Sequence, residues 1–406
     1  MNTRQTTIGG WTSRLWRCLP KGPRRWALSR CAALLAPKPD PRPPPCAGAV
    51  VVAGEIEAAN GLGESARILH GAIGGLGVGV SSQALGLPGL TAMPITTLPP
   101  GAALLAVVNA PFLPAAIARL ERGALRTRPV VGYWAWELPV APPAWRAGAR
   151  FVHEIWAPSA FCATAFAPLK PGRVRVVPLP LAAMPLQILG TRAAFGLPEQ
   201  CFIVTVCFNL ASSFARKNPL AAIAAFKAAF GASRDHLLVL KLAHPEAYAH
   251  DLATIRHAVA GQANIRLITA TLSDEQLRGL LACADVVLSL HRAEGFGLVP
   301  ATAMLLGRAV VATGWSGNME YMAPDAAGLV EYRLVPAQDE RGTYAVPGAR
   351  WAEPDTEHAA ALLRALADTP EARAAQGRAG QALARARLGD APLRAALEGM
   401  GVPCMC

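Results

Sequence analysis

The stretch Leu290-His291-Arg292-Ala293-Glu294-Gly295-Phe296-Gly297-Leu298-Val299-Pro300-Ala301-Thr302-Ala303-Met304-Leu305-Leu306-Gly307-Arg308-Ala309-Val310-Val311-Ala312-Thr313-Gly314-Trp315-Ser316-Gly317-Asn318-Met319-Glu320 decides how this chain of 406 residues is read. It leaves a short apolar, β-branched run, Ala284 to Leu290, that suits a strand buried on both faces of a parallel sheet. Charge and glycine then break the strand, so a loop opens at its carboxyl end. The spacing predicts a helix over Leu298 to Leu306, with Pro300 in a first turn that needs no N–H and Gly307 at its end. In an open α/β sheet ligands sit above such strand ends, and the free N–H groups at a helix start favour an anion. Glu294 beside an anion seat needs hydroxyls to accept from, so a diphosphate joined to a sugar satisfies both halves. The unit then repeats: Ala309 to Thr313 reads as a second strand, followed by the loop of Gly314, Ser316, Gly317 and Asn318. Taken singly, either loop is also ordinary strand-to-helix turn chemistry.

Glu294-Gly-Phe-Gly297, the helix after it, Gly307-Arg-Ala-Val-Val-Ala-Thr313 and the Ser316-Gly317 loop together resemble the donor-sugar site of retaining glycosyltransferases of the GT-B fold. The resemblance spans about residues 48–400. It implies an α/β protein of GT-B architecture, two Rossmann-like domains facing across a cleft, with the nucleotide sugar in the second and the acceptor in the first. In that family a second glutamate follows eight positions after the first and holds the ribose; here the position is Thr302, whose short neutral hydroxyl reaches a ribose only through water or a shifted backbone. Glu294 would orient the sugar hydroxyls, with Gly295, Phe296, Gly297, Leu298, Thr302, Ser316, Gly317 and Asn318 lining the donor.

Length suits two domains with an extension. The expected division is a basic, proline-rich arm and linker over 1–47, a first domain over 48–180, a second over 181–385, and a terminal helix and tail over 386–406. Residues 1–47 hold nine Lys or Arg against the single Asp40, so most of the net charge of +12 lies in the arm. A basic arm without a basic folded face argues against nucleic acid as a partner. Trp11, Trp16 and Trp26 among arginines suit peripheral contact with an anionic membrane, while a disordered leader is the plainer reading. The Pro37 to Pro45 segment is expected to be extended and unpacked. The nine cysteines form no pair with zinc spacing, which points to a reducing compartment and no metal; Cys404 and Cys406 read as a frayed tail. Residues 68–118 lack charge but are broken by glycine and proline, so no membrane span is expected. The localisation read from this is cytoplasmic, with attachment at the inner face of a membrane through the arm.

In chain order, Ala49 to Ala53 is a first strand, and Asn60 to Glu64 a glycine turn into a helix over Ser65 to Ile73. Gly61, Gly63 and Glu64 are candidates for phosphate or acceptor contact, strengthened by the family's use of this loop. Val130 to Gly132 runs into Trp134, Trp136 and Glu137; two indoles and a carboxylate suit a sugar ring, though a Trp-rich plug in the cleft reads as well. By resemblance Glu137 occupies the region where relatives face the sugar, often with a histidine. His153 and Glu154 are placed on a helix, with His153 a packed or surface residue. Cys201 to Phe208 starts a fresh strand-helix series. Arg216 and Lys217 then precede a helix over Pro219 to Phe230, where two cations are unfavourable unless an anion joins them. The family places a lysine here, so both would neutralise the leaving diphosphate. Ser273 and Gln276 form a capping box for a helix over Asp274 to Cys283. Leu329 to Leu334 is expected as one edge strand, followed by a long loop to Trp351.

These readings converge on transfer of a hexose, mannose foremost, from a GDP or UDP sugar to a glycan or lipid-linked glycan hydroxyl, with retention and no cofactor. An impaired relative that binds a glycan or a protein partner, and a nucleotide-sugar epimerase, are the alternatives.

Overall fold

The computed structural model of the protein describes residues 32–85, 97–118 and 120–405. The sequence expectations for the arm before residue 32, for the glycine- and proline-broken stretch within 86–96, and for Cys406 lie outside them. Two six-stranded parallel sheets organise the chain. The first comprises β1 (Ala49–Gly54), β2 (Gly79–Ala84), β3 (Ala103–Val107), β4 (Val130–Tyr133), β5 (Glu154–Ala157) and β6 (Val174–Val176), in the order β2-β1-β3-β4-β5-β6. The second comprises β7 (Phe202–Asn209), β8 (His236–Ala243), β9 (Ile265–Ile268), β10 (Val286–Ser289), β11 (Ala309–Thr313) and β12 (Gly328–Val330), in the order β12-β11-β10-β7-β8-β9. Continuous apolar strands need cover on both faces, and β1, β3, β8 and β11 are buried almost throughout. This is the two-domain α/β architecture that the GT-B resemblance implies.

The strand orders fix where a ligand fits. In the second sheet the chain leaves β7 towards β8 and β9, then returns to the other side of β7 with β10. Connections therefore diverge between β7 and β10, and the crevice at their carboxyl ends is open. The first sheet reverses in the same way between β1 and β3.

Helix starts follow local chemistry. Asn60 accepts from Gly63 N at 2.8 Å and caps α1 (Gly61–Gly75). The helix thus begins four residues before the expected Ser65, and both glycines belong to its first turn. The capping box of Ser273 and Gln276 opens α2 (Asp274–Ala282) with both of its hydrogen bonds formed.

Four other expectations are corrected. The Pro37 to Pro45 segment is packed at its start and held at its middle: Pro37 is buried, and the Asp40 carbonyl accepts from His153 Nε2 at 2.8 Å. An extended proline segment keeps its carbonyls free, so it can serve as an acceptor strip. His153 is buried, its Nδ1 accepting from Val130 N at 2.9 Å, and Glu154 lies on β5, not on a helix. The region after β12 is no single edge strand with a loop. It is a hairpin of β13 (Tyr332–Pro336) and β14 (Arg350–Pro354), paired antiparallel. Finally, α3 (Ala391–Glu398) and the tail return to the first domain. Leu393, Leu397 and Val402 are buried in one cluster with Val50, Leu69 and Ile73, and Met405 N donates to Leu76 O. Tail apolar residues had a face to cover, which local composition does not reveal. Among the described residues no helix is long and apolar enough to cross a membrane.

Candidate active site

Because β7 and β10 are neighbours, the loops after them meet, and each supplies half of an ion cluster. After β7, Ser213 caps a single helical turn, Phe214–Lys217, which Asn218 ends in the left-handed region at φ 51°. The long helix Pro219–Phe230 starts only after this reversal. Arg216 and Lys217 therefore sit on a separate turn ahead of that helix, and both meet Glu294 from the loop after β10. Arg216 Nη1 lies 3.1 Å from Glu294 Oε2, and Lys217 Nζ lies 2.5 Å from Oε1. Glu137, after β4 of the first sheet, brings Oε1 to 3.6 Å from Arg216 Nη2. The two carboxylates that sequence placed in opposite domains thus share one guanidinium.

Arg216 and Glu294 are both buried. Burial alone would push the Glu294 carboxyl up, but Lys217 and Arg216 together outweigh it and lower it to about 2. Burial disfavours the Arg216 charge, yet Tyr344, Glu137 and Glu294 hold the guanidinium protonated. For Lys217 burial lowers the ammonium's pKa and Glu294 opposes that shift. Arg216 Nη1 also donates to Ala293 O at 2.8 Å, whereas its buried Nε has no partner among the described residues.

The Ser316–Asn318 loop clamps Glu294. Ser316 Oγ accepts from Glu294 N at 2.9 Å, and Gly317 N donates to Glu294 O at 2.8 Å. Asn318 carries the clamp inward, accepting from His291 Nε2 at 3.0 Å while its amide donates to Thr313 O at 2.9 Å. His291 Nδ1 faces Ser289 Oγ at 2.9 Å; burial lowers its pKa, so it serves as a neutral strut. Ser213, Asn218 and Ser316 are three of the four described non-glycine residues with positive φ, and all border this cluster. Unusual backbone conformations of this kind cluster at functional sites in folded proteins.

Gly295, Phe296 and Gly297 lead into α4 (Leu298–Leu305). Gly297 has φ 88°, a conformation costly for a side chain, and no side chain caps the helix start. The first N–H groups of α4 are therefore without a side-chain cap. Opposite stands the start of α1: a Cβ added to Gly61 would lie 4.0 Å from Leu298 Cδ1. Thr302 lies farther along α4, half-buried, in an interdomain cavity of about 240 Å³ that it shares with Glu64, Arg67, Asp274 and Arg278. Glu64 is raised by burial and by Asp274, with Arg67 and Arg278 opposing. Glu64 lines this cavity, and Gly63 lies buried in the first turn of α1.

The indoles are placed differently from the sugar platform expected. Trp134 is fully buried, edge-on to Trp145 and Phe166, and Trp136 packs on Trp145 and Tyr344. Both indoles are buried within this aromatic cluster, so they form the aromatic plug of the alternative reading. Sequence reasoning missed His291, whose place at a strand end beside the motif was the available signal. It also missed Tyr344, which lies in a segment read as loop and carries no local signal. Among the described residues no three His, Cys, Asp or Glu gather as a metal site.

Residues 213–345 match the family model described as glycosyl transferases group 1, the segment that includes Arg216, Lys217 and Glu294. No curated protein matches the chain. Several solved structures share its fold. The chain is 15% identical to HepE of Anabaena in complex with UDP and glucose, covering 87% of this chain and 99% of that one with a TM-score of 0.57. A glycosyltransferase from Rickettsia africae is 11% identical over 87% of this chain and 98% of that one, at a TM-score of 0.62. Sucrose-phosphate synthase from Thermosynechococcus elongatus is 14% identical over 87% and 99%, at 0.63. Residues 213–345 are thus similar to glycosyl transferases group 1, and the two-domain fold is shared with solved glycosyltransferases.

Proposed function

We propose that this protein is a retaining glycosyltransferase that moves a hexose from a nucleotide diphosphate sugar to a glycan or lipid-linked glycan hydroxyl. The observation that carries the reading is the meeting of Arg216, Lys217 and Glu294 beside the uncapped start of α4. Two cations and free N–H groups neutralise a leaving diphosphate, and the carboxylate accepts from sugar hydroxyls. Arg216 and Lys217 take the part a metal takes elsewhere, so no cofactor is proposed. As the bond from C1 to the diphosphate breaks, the acceptor oxygen bonds to C1 on the same face. The acceptor proton passes to a phosphate oxygen and the nucleoside diphosphate leaves. Glu137 lies on the acceptor side. A nucleoside on that diphosphate extends along α4 into the cavity of Thr302 and Glu64, whose walls include Leu298 and Val299. HepE with UDP and glucose favours UDP as carrier; mannose and glucose are the candidate hexoses. The basic arm supplies peripheral attachment at the inner face of a membrane, beside a lipid-linked acceptor.

A thermal-shift series with UDP, GDP, UDP-glucose and GDP-mannose tests the reading. One nucleotide is expected to stabilise the protein by roughly 2.7 kcal/mol at a hundredfold excess over its Kd, and to lose that effect in Lys217→Ala. Product formed with retained anomeric configuration by NMR completes the test. Stabilisation without turnover, restored by Thr302→Glu, attributes the loss to the ribose position; no stabilisation by any of the four overturns the reading.

A further inference from the structure

Arg216 carries the anion end of the proposed site, yet a competitor stands beside it. Glu137 Oε1 is 3.6 Å from Arg216 Nη2, close enough to attract and too far for a hydrogen bond. The other oxygen, Oε2, accepts from the Tyr344 hydroxyl at 3.0 Å. Tyr344 belongs to the second domain's hairpin, between β13 and β14, and reaches across the cleft into the first domain's aromatic cluster, its ring 5.2 Å from that of Trp136. The same ring lies 5.7 Å from the Arg216 guanidinium and covers one side of it. Burial pushes the phenol well above its ordinary range, so it remains an O–H donor. Meanwhile Arg216 Nε is buried without a partner, which is the state expected of a donor awaiting an anion.

We propose that Tyr344 is a positioning residue that holds Glu137 back from Arg216 and so keeps the guanidinium available to the donor's diphosphate. Glu294 and Glu137 both draw on Arg216 and Lys217, so an incoming diphosphate competes with two carboxylates for the same two cations. If Glu137 closed fully onto Nη2, it would occupy the donor that a phosphate oxygen needs. The tyrosine hydroxyl anchors that carboxylate by its far oxygen, and the anion site stays open. The inference rests on the glycosyltransferase reading given above.

The test is a double-mutant cycle read by calorimetric binding of UDP, GDP and inorganic pyrophosphate, because coupling between two groups shows only in such a cycle. Tyr344→Phe keeps the buried ring and removes the hydroxyl; thermal unfolding close to the parent's checks that it folds. It is expected to weaken pyrophosphate and nucleotide binding by about tenfold, since one charge-assisted hydrogen bond is worth roughly 1.5 kcal/mol or more. Glu137→Gln removes the competitor and is expected to bind as tightly as the parent or more so. The decisive member is the pair: Tyr344→Phe with Glu137→Gln should bind like Glu137→Gln alone. A structural role for the hydroxyl gives additive losses instead, and that outcome overturns the inference while leaving the donor site intact. If the parent binds none of the three probes, the reading beneath falls, and this inference with it.

Discussion

Glu294 is the residue on which the site's electrostatics turn, and its titration has a sign that can be measured. Its carboxyl is lowered to about 2 in the folded protein, against an ordinary value near 4.5. A depressed carboxyl stabilises the fold fully above the unfolded value and loses that contribution as pH falls through the folded one. The expected contribution is about 3 kcal/mol, at about 1.4 kcal/mol for each pH unit of depression. Urea unfolding of the parent and of Glu294→Gln from pH 7 down to 3 should show the parent more stable at neutral pH. The gap should narrow below about pH 4.5; parallel curves throughout would deny that Glu294 is ionised and paired in the fold. Arg216, Lys217 and Glu294 were legible in sequence because charge at a strand end has few uses other than binding. The indoles misled because a tryptophan at a strand end suits a sugar face and an aromatic core equally, and only the neighbours decide. Tyr344 was illegible: its partners Glu137 and Arg216 lie 207 and 128 positions away, a distance no local pattern spans.

Among elements, the first turn of α1 separates two glycines that look alike in sequence. A Cβ on Gly63 would come within 2.3 Å of Ala58 O, whereas on Gly61 its nearest neighbour is Leu298 Cδ1 at 4.0 Å. Gly63→Ala is therefore expected to destabilise the protein by about 2 kcal/mol, because a backbone carbonyl must shift. Gly61→Ala should be neutral or stabilising by up to about 1 kcal/mol, since alanine is the better helix former. Equal thermal midpoints for the two variants would contradict the packing described. Strands and helices of the second half were the more readable elements: Pro219 and Gly231 bracket one helix, and a full capping box opens another. The hairpin of β13 and β14 was unreadable because its strands are short and half-exposed, and its partner follows a long irregular turn.

For the whole molecule, the tail has consequences far from its place in the chain. Leu393, Leu397 and Val402 are buried with first-domain residues, so removing residues 391–406 uncovers a face of the first sheet's helices. At about 25 cal/mol per Å² of apolar surface, losing three such side chains costs several kcal/mol. Hydrogen exchange of the truncated protein should rise in α1 and β1 and stay low in β7 and β8; uniform exchange across both sheets would refute the assignment of the tail to the first domain. Sequence suggested a terminal helix but not its destination, which depends on an apolar face assembled from residues more than three hundred positions earlier. That return has a mechanical meaning. The chain passes between the domains at residues 181–183 and again near Leu388, and Ala182 N donates to Leu388 O at 2.9 Å. Two crossings pinned to each other behave as the paired knuckles of a door, which allow swing about one axis and resist twist. The hairpin that carries Tyr344 across to Glu137 ties the two domains at another place, as a latch ties a door to its frame.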